Sequence, residues 1–146
     1  MQNMRQEKSS GAIIFKEGNS RSYLLLNYGR DYWGFPKGIV EEGESEIEAA
    51  EREVKEETSI EDFSFIEGFR EEISYSFKRK GELTKKTVIY FLARATSDRV
   101  ILSHEHVNFE WLAFNEALQK VTFKNSKQLL KKAEDFLRKF SVRNNN

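Results

Sequence analysis

The segment GIVEEGESEIEAAEREVKEETSI, residues 38–60, is far more acidic than the rest of the chain. Between Glu41 and Glu57 it holds nine glutamates and two basic residues, Arg52 and Lys55. The whole chain of 146 residues balances 24 Lys and Arg against 24 Asp and Glu, so its formal net charge is zero. The acidity is therefore a local feature, and it requires a local explanation.

A helix is predicted over residues 45–58. Ser45, three residues before Glu48, forms the capping box that typically begins a helix. Apolar residues at i, i+3 and i+7 are expected to form a stripe that faces a core. These residues are Ile47, Ala50 and Val54.

Three glutamates of this helix raise an electrostatic problem. At helical spacing Glu53, Glu56 and Glu57 fall together on one face, and the last two lie near the C-terminus, where the helix dipole disfavours anions. Arg52 can pair with some of them but cannot neutralise all three. A hard divalent cation would resolve the conflict, because carboxylate oxygens are ligands that Mg²⁺ prefers. The alternative is a solvated acidic face, to which the other glutamates are assigned: Glu41, Glu42, Glu46, Glu48 and Glu51.

The spacing of this segment resembles the Nudix box, G-x5-E-x7-R-E-U-x-E-E-x-G-U, in which U is a bulky aliphatic residue. Eight of the nine fixed positions match, and Ser59 stands where the family has glycine. That position follows the helix, where a positive φ is common, so serine is expected to cost about 1 kcal/mol there. The matching residues are Gly38, Glu44, Arg52, Glu53, Val54, Glu56, Glu57 and Ile60.

Short motifs outside the box resemble one Nudix subgroup, the asymmetrical diadenosine tetraphosphate hydrolases. They occur in the same order along the chain as in the subgroup. The motifs are GAIIF (11–15), FPKG (35–38), IEGFREEISY (66–75), KKTVIYFLA (85–93) and LSHEHVNFEWLAFNEAL (102–118). The resemblance implies a single Nudix hydrolase domain over residues 1–146.

The alternation of strand-like and helix-like segments predicts an α/β fold, an α/β/α sandwich with a mixed sheet, a catalytic loop–helix and a C-terminal helix. A loop is expected over 29–43, helix from about residue 115, and frayed polar ends at 1–10 and 141–146. Strands are expected at 11–16, 22–28, 68–80, 84–96 and 107–114.

The resemblance also implies roles for individual residues. Mg²⁺ (or Mn²⁺) would be held by the carboxylates of Glu53, Glu56, Glu57 and Glu105 and by the carbonyl of Gly38. Arg52 would orient Glu53, and either Glu53 or Glu56 would act as the general base. The expected catalytic residues are Arg52, Glu53, Glu56 and Glu57.

Substrate contacts are implied for four residues outside the acidic helix. Lys37 and Lys86 would contact phosphate, and Tyr75 and Phe123 would stack on an adenine ring, with core packing as the alternative for both aromatic residues.

His104 and His106 flank Glu105. On an extended segment they would share a face. Two histidines without a third clear ligand indicate support of Glu105 by hydrogen bonds more than a zinc site.

The leading functional hypothesis is hydrolysis of diadenosine tetraphosphate to ATP and AMP by attack of water on phosphorus. The alternatives are a broader nucleoside triphosphate or RNA 5′-pyrophosphohydrolase and a non-catalytic nucleotide-sensing module. The absence of cysteine excludes disulfides and thiolate chemistry, and the longest apolar run, residues 88–93, is too short to cross a membrane. We expect a cytoplasmic monomer or small homo-oligomer without a membrane or stable nucleic-acid partner.

Overall fold

The computed structural model describes residues 4–106 and 108–144. These residues form seven strands and three helices, arranged as a mixed sheet between helical layers. The strands are β1 (Arg5–Lys16), β2 (Ser22–Asn27), β3 (Trp33–Gly34), β4 (Lys37–Ile39), β5 (Phe63–Arg79), β6 (Glu82–Ala95) and β7 (Asn108–Ala113). The helices are α1 (Glu46–Thr58), α2 (Phe114–Lys120) and α3 (Lys124–Asn144). The predicted fold class is confirmed.

Strand β1 organises the sheet. It pairs in parallel with β6, from Arg5 opposite Thr84 to Phe15 opposite Arg94. Its other edge pairs antiparallel with β2 at one end and with β4 at the other. The sheet therefore runs in the order β3-β2-β1-β6-β5, with β4 beside β1 and β7 beside β2.

Two hydrophobic cores lie on opposite faces of the sheet, because side chains alternate along β1. Ile13 and Phe15 face α2 and α3, whereas Ala12 and Ile14 pack with Val54 of α1. The glutamate helix is thereby fixed against one face of the sheet, and the C-terminal helix covers the other.

Three expectations about irregular segments are wrong. Residues 5–10 belong to β1 instead of a frayed end, because β6 pairs with them along their whole length. The expected loop over 29–43 contains the short strands β3 and β4, and Trp33 is buried. At the other end α3 continues to Asn144. The parts of these and other predicted segments at residues 1–3, 107 and 145–146 lie outside the described residues.

Helix α1 begins and ends as predicted. The Ser45 hydroxyl accepts a hydrogen bond from the Glu48 N–H (3.1 Å), and the Glu48 carboxylate accepts one from the Ser45 N–H (3.0 Å). After the helix Ser59 takes the left-handed conformation, with φ of 62°, and its hydroxyl donates to the carbonyl of Ile101 (3.0 Å). Serine thus occupies the strained position itself and adds one tertiary hydrogen bond.

The apolar stripe of α1 differs from the prediction at one residue. Ile47 of α1 is exposed, and Ala49 is buried beside Ala50 and Val54 instead. In α3, Leu129, Leu130, Ala133 and Leu137 pack into the core, whereas Phe140 is exposed. No helix of the described residues is long and apolar enough to span a bilayer.

Candidate active site

Strand β4 approaches α1 so closely that only glycine fits at residue 38. A Cβ atom built on Gly38 would lie 2.0 Å from the carboxyl group of Glu53. The backbone of β4 is held in this place by its pairing with β1, in which Gly38 is opposite Ser10. The Gly38 backbone and the Glu53 carboxylate are therefore neighbours, as their predicted joint role as metal ligands requires.

Arg52 joins the loop before α1 to the glutamates of the helix. Its guanidinium donates to both oxygens of Glu44, at 2.8 and 3.1 Å. It also donates to Glu53 (2.8 Å), to Glu56 (3.3 Å) and to the carbonyl of Ile39 (2.9 Å). These contacts place Arg52 where it can orient Glu53, as the resemblance implies.

Two of the three helix carboxylates are buried, and their pKa values are raised. Glu57 is 4% exposed, and burial together with the nearby Glu53 raises its pKa to about 8. Burial also raises the pKa of Glu53, although Arg52 opposes the shift. The backbone N–H of Lys37 donates to Glu57 at 3.1 Å. Without a cation this pair of carboxylates retains a proton near neutral pH.

The predicted metal ligands line a single cavity of about 540 Å³, which we call the acidic cleft. Its walls include Gly38, Glu53, Glu56, Glu57 and Glu105. Within residues 4–106 and 108–144, no three acidic or histidine side chains already stand in a metal-binding arrangement. Arg52 forms ion pairs with both Glu53 (2.8 Å) and Glu56 (3.3 Å).

The two histidines around Glu105 do not share a face. Glu105 lies in a turn, not in an extended segment, so His104 is exposed in the cleft while His106 is buried. The His106 ring packs edge-on against Tyr28, with centroids 4.5 Å apart. Burial lowers the pKa of His106, which favours the neutral ring, and its Nε2 lies 3.9 Å from Oε1 of Glu57. The shared-face prediction is wrong, and with it the basis of a two-histidine zinc site.

A second cavity, of about 530 Å³, lies on the sheet face that α3 leaves uncovered at its start. We call it the aromatic slot. Tyr75 and Phe123 line it and are 40% and 48% exposed, so neither is a core residue. Tyr32 lies edge-on to Phe123, with ring centroids 4.8 Å apart. The slot thus brings together the two aromatic residues predicted to stack on adenine.

Of the two predicted lysines, only Lys37 lies at the junction of the cavities. Lys37 lines both the aromatic slot and the acidic cleft. Burial lowers the pKa of Lys37, and Lys86 lowers it further, so the two ammonium groups are close enough to interact. Lys86 is paired across the sheet with Tyr75. Lys37 therefore lies between an aromatic surface and a cluster of carboxylates, whereas Lys86 lines neither cavity and is connected to the site through Tyr75 and Lys37.

Seven further residues line the slot and were not predicted as site residues. They are Tyr32, Ile73, Val88, Tyr90, Lys124, Asn125 and Ser126. A signal existed for Tyr90, which follows Lys86 and Val88 at strand spacing and so shares their face. Ser126 had no comparable signal, because its position depends on where α3 begins.

The mixed sheet holds α1, whose glutamates pair with Arg52, against the Gly38 backbone of β4. This is the arrangement of a Nudix hydrolase. The sequence profile of the NUDIX domain matches residues 6–133, and the chain belongs to this family. Its relatives include the mouse (Mus musculus) bis(5′-nucleosyl)-tetraphosphatase [asymmetrical], 38% identical over 143 residues that cover 89% of this chain and 95% of the relative. The Caenorhabditis elegans enzyme of the same description is 36% identical over 139 residues, covering 91% and 98%.

Solved structures give the same family. A crystal structure of a C. elegans Ap4A hydrolase binary complex superposes with a TM-score of 0.80 and 35% sequence identity. The match covers 90% of this chain and 98% of that chain. The predicted family and its subgroup resemblance are confirmed.

Proposed function

We propose that this Nudix hydrolase cleaves diadenosine tetraphosphate to ATP and AMP in the presence of Mg²⁺ or Mn²⁺. The observation that carries the proposal is that the aromatic slot and the acidic cleft meet at Lys37. A substrate with a base at one end and a polyphosphate chain matches this order of aromatic, cationic and acidic surfaces. The similarity to asymmetrical tetraphosphatases supports the same substrate.

The donor atoms of the acidic cleft fit a hard divalent cation. Carboxylate and carbonyl oxygens are the ligands that Mg²⁺ and Mn²⁺ prefer. Glu53, Glu56, Glu57, Glu105 and the Gly38 carbonyl would hold the ion. Burial first, and the neighbouring carboxylates second, raise the pKa of Glu53 and Glu57, so a cation that binds there would displace protons. When bound, it supplies charge neutralisation of the phosphates and a water of lowered pKa.

The chain's own groups bind and orient the substrate. Tyr75 and Phe123 stack on one adenine ring, which contributes about 1–3 kcal/mol per base. The ammonium groups of Lys37 and Lys86 contact the phosphates beyond the nucleoside. Because Lys37 is half-buried, its charge is screened less than that of an exposed lysine.

The reaction needs a base, and the helix provides two candidates. Glu56 or Glu53 takes a proton from water, and the water oxygen attacks the fourth phosphorus counted from one adenosine. The bond between that phosphorus and its bridging oxygen breaks. ATP leaves with the bridging oxygen, and the water oxygen remains on AMP. Arg52 keeps the Glu53 carboxylate directed into the cleft.

Product analysis by chromatography tests the proposal. The purified chain is incubated with and without Mg²⁺ against diadenosine tetraphosphate, nucleoside triphosphates and 5′-triphosphorylated or capped RNA. Fastest turnover of the dinucleotide, with equal amounts of ATP and AMP and none without the cation, supports it. An intact dinucleotide beside rapid hydrolysis of triphosphates or RNA overturns it in favour of a broader pyrophosphohydrolase.

A further inference from the structure

We propose that the hydroxyl groups of Tyr90 and Ser126 hydrogen-bond to the edge of the base held between Tyr75 and Phe123. We call these two hydroxyls the polar floor of the aromatic slot. The inference rests on the proposed function, since it takes the aromatic slot as the adenine site. It adds a specificity element that stacking alone does not provide, because every base presents a face that can stack.

Both floor residues are recessed but face the cavity. Tyr90 is 3% exposed and Ser126 is 9% exposed, and both line the slot. Neither side chain hydrogen-bonds to another of the described residues. Around the start of α3 the side-chain hydrogen bonds come from Thr122, which donates to the Asp31 carbonyl, and from Lys127. Neither hydroxyl is among the fully buried polar atoms without a partner in the described residues, so both are open to the slot, where a ligand atom can reach them.

The Tyr90 ring is anchored so that its hydroxyl faces the slot. The ring packs edge-on against Phe35 of the core, with centroids 5.8 Å apart. Burial is the main cause of the raised pKa of this phenol, with further contributions from Tyr32, Tyr75 and Glu57. Two of these three residues belong to the slot, so the hydroxyl lies on its floor beside the acidic cleft.

Ser126 reaches the same floor from the opposite wall. It lies in the first turn of α3, three residues after Phe123, whose carbonyl accepts a hydrogen bond from the N–H of Lys127. Its position is therefore set by the same short segment that presents the stacking ring. A base that enters between Tyr75 and Phe123 meets one hydroxyl from the sheet and one from the helix.

The chemistry of the two hydroxyls defines the ligand edge. Each can donate and accept a hydrogen bond, which matches adenine, whose edge carries an amino donor beside a ring-nitrogen acceptor. A purine without the 6-amino group would leave a buried hydroxyl unpaired. Sites built to hydrogen-bond a polar group discriminate against ligands that lack it for this reason.

Calorimetric binding of two nucleotides tests the polar floor without turnover. The probes are AMP and purine riboside 5′-monophosphate, which differ only in the 6-amino group. The double variant Tyr90→Phe/Ser126→Ala is expected to bind AMP roughly tenfold more weakly, while its affinity for the analogue changes less than about twofold. Each single variant should lose part of the preference for AMP over the analogue. Ser76→Ala, an exposed serine outside the slot, is the matched control.

The outcomes separate the inference from the proposed function. Equal weakening of both nucleotides, or of neither, in folded single and double variants overturns the polar floor. A wild-type enzyme that hydrolyses the dinucleotide but binds the two nucleotides equally overturns the inference alone. A wild-type enzyme that neither binds AMP nor hydrolyses the dinucleotide overturns the proposed function and the inference together.

Discussion

The backbone N–H of Lys37 donates a hydrogen bond of 3.1 Å to the carboxylate of Glu57. This bond connects the strand whose lysine lines the aromatic slot with the helix that carries the acidic cleft. The position of the Glu57 carboxylate and the position of the Lys37 side chain are therefore set together. Changes at the contact between β4 and α1 should affect cation binding and substrate binding at once.

Replacement of Gly38 by alanine tests this contact. The added methyl group would lie 2.0 Å from the Glu53 carboxyl group, so the carboxylate must move. We expect Mn²⁺ affinity to fall roughly 10- to 100-fold, the range typical of a disturbed ligand environment. Titration of Mn²⁺ followed by electron paramagnetic resonance measures this without turnover.

Gly18→Ala is the matched control for the glycine variant, because its new Cβ would meet its nearest heavy atom at 3.7 Å, an ordinary contact. It should bind Mn²⁺ as the wild type does. Unchanged Mn²⁺ affinity in Gly38→Ala would contradict the assignment of the cleft as the metal site.

Replacement of Phe123 by leucine tests the aromatic slot. Loss of the stacking face should raise KM for diadenosine tetraphosphate roughly tenfold with little change in kcat, because the acidic cleft is untouched. Steady-state kinetics measures both constants. Phe140→Leu removes an equally exposed ring from α3 outside the slot and serves as the control. Equal KM values for the two variants would mean that the slot does not hold the base.

Elements that are specified by their own residues could be predicted from the sequence. Elements that are ordered by pairing with distant residues could not. Helix α1 could be predicted because its capping box and apolar spacing lie within the helix itself. The start of β1 could not, because residues 5–10 are polar and are ordered by pairing with residues about 80 positions away in β6. Strand β4 is similarly defined by its partner, not by its own three residues.

The candidate active site likewise has features that local spacing predicts and features that depend on packing. Helical spacing predicts that Glu53, Glu56 and Glu57 lie close together, and they line one cleft. Spacing does not show that Glu57 is buried while Glu56 remains largely exposed, because that depends on the packing of α1 against the sheet. The positions of Tyr90 and Ser126 in the aromatic slot depend on segments that meet only in the folded chain.

Two substitutions at Ser59 test the departure from the glycine of the family pattern. Both Ser59→Gly and Ser59→Ala lose the hydrogen bond to Ile101, but only glycine relieves the strain of φ at 62°. We expect the glycine variant to be about 1 kcal/mol more stable than the alanine variant. Urea unfolding gives the difference, and equal free energies of unfolding would show that the left-handed conformation costs nothing here.

The ion pairs of Glu46 are expected to make a pH-dependent contribution to the free energy of unfolding. Hydrogen bonds from Arg70 and Lys8 hold the pKa of Glu46 at about 2, below its usual value of 4.5. Because the folded pKa is depressed, the stabilisation is present above about pH 4.5 and is lost as the pH falls toward 2.

The variant Glu46→Gln measures this contribution. Its free energy of unfolding at pH 7 should be lower than that of the wild type by up to about 1 kcal/mol, the limit for a largely solvated ion pair. Urea unfolding between pH 3 and pH 7 should show the gap narrowing toward acid. A gap that does not change with pH would exclude the ion pairs of Glu46 as its source.

Replacement of Glu56 should separate an effect on the rate of hydrolysis from an effect on folding. Its side chain is largely exposed, so Glu56→Gln should fold normally, yet loss of the carboxylate should slow hydrolysis by about 10²- to 10⁴-fold. Glu51→Gln changes a glutamate of the same helix that pairs only with Lys55 among the described residues, and it should retain the wild-type rate.

The most direct test of the account is hydrolysis of diadenosine tetraphosphate in ¹⁸O-labelled water with Mg²⁺, followed by mass spectrometry of the products. The wild type and Glu51→Gln should give AMP that carries one ¹⁸O and ATP that carries none, with Glu56→Gln slower by orders of magnitude. Formation of ADP, label in ATP, or an undiminished rate in Glu56→Gln would contradict attack of water on the fourth phosphorus from the acidic cleft.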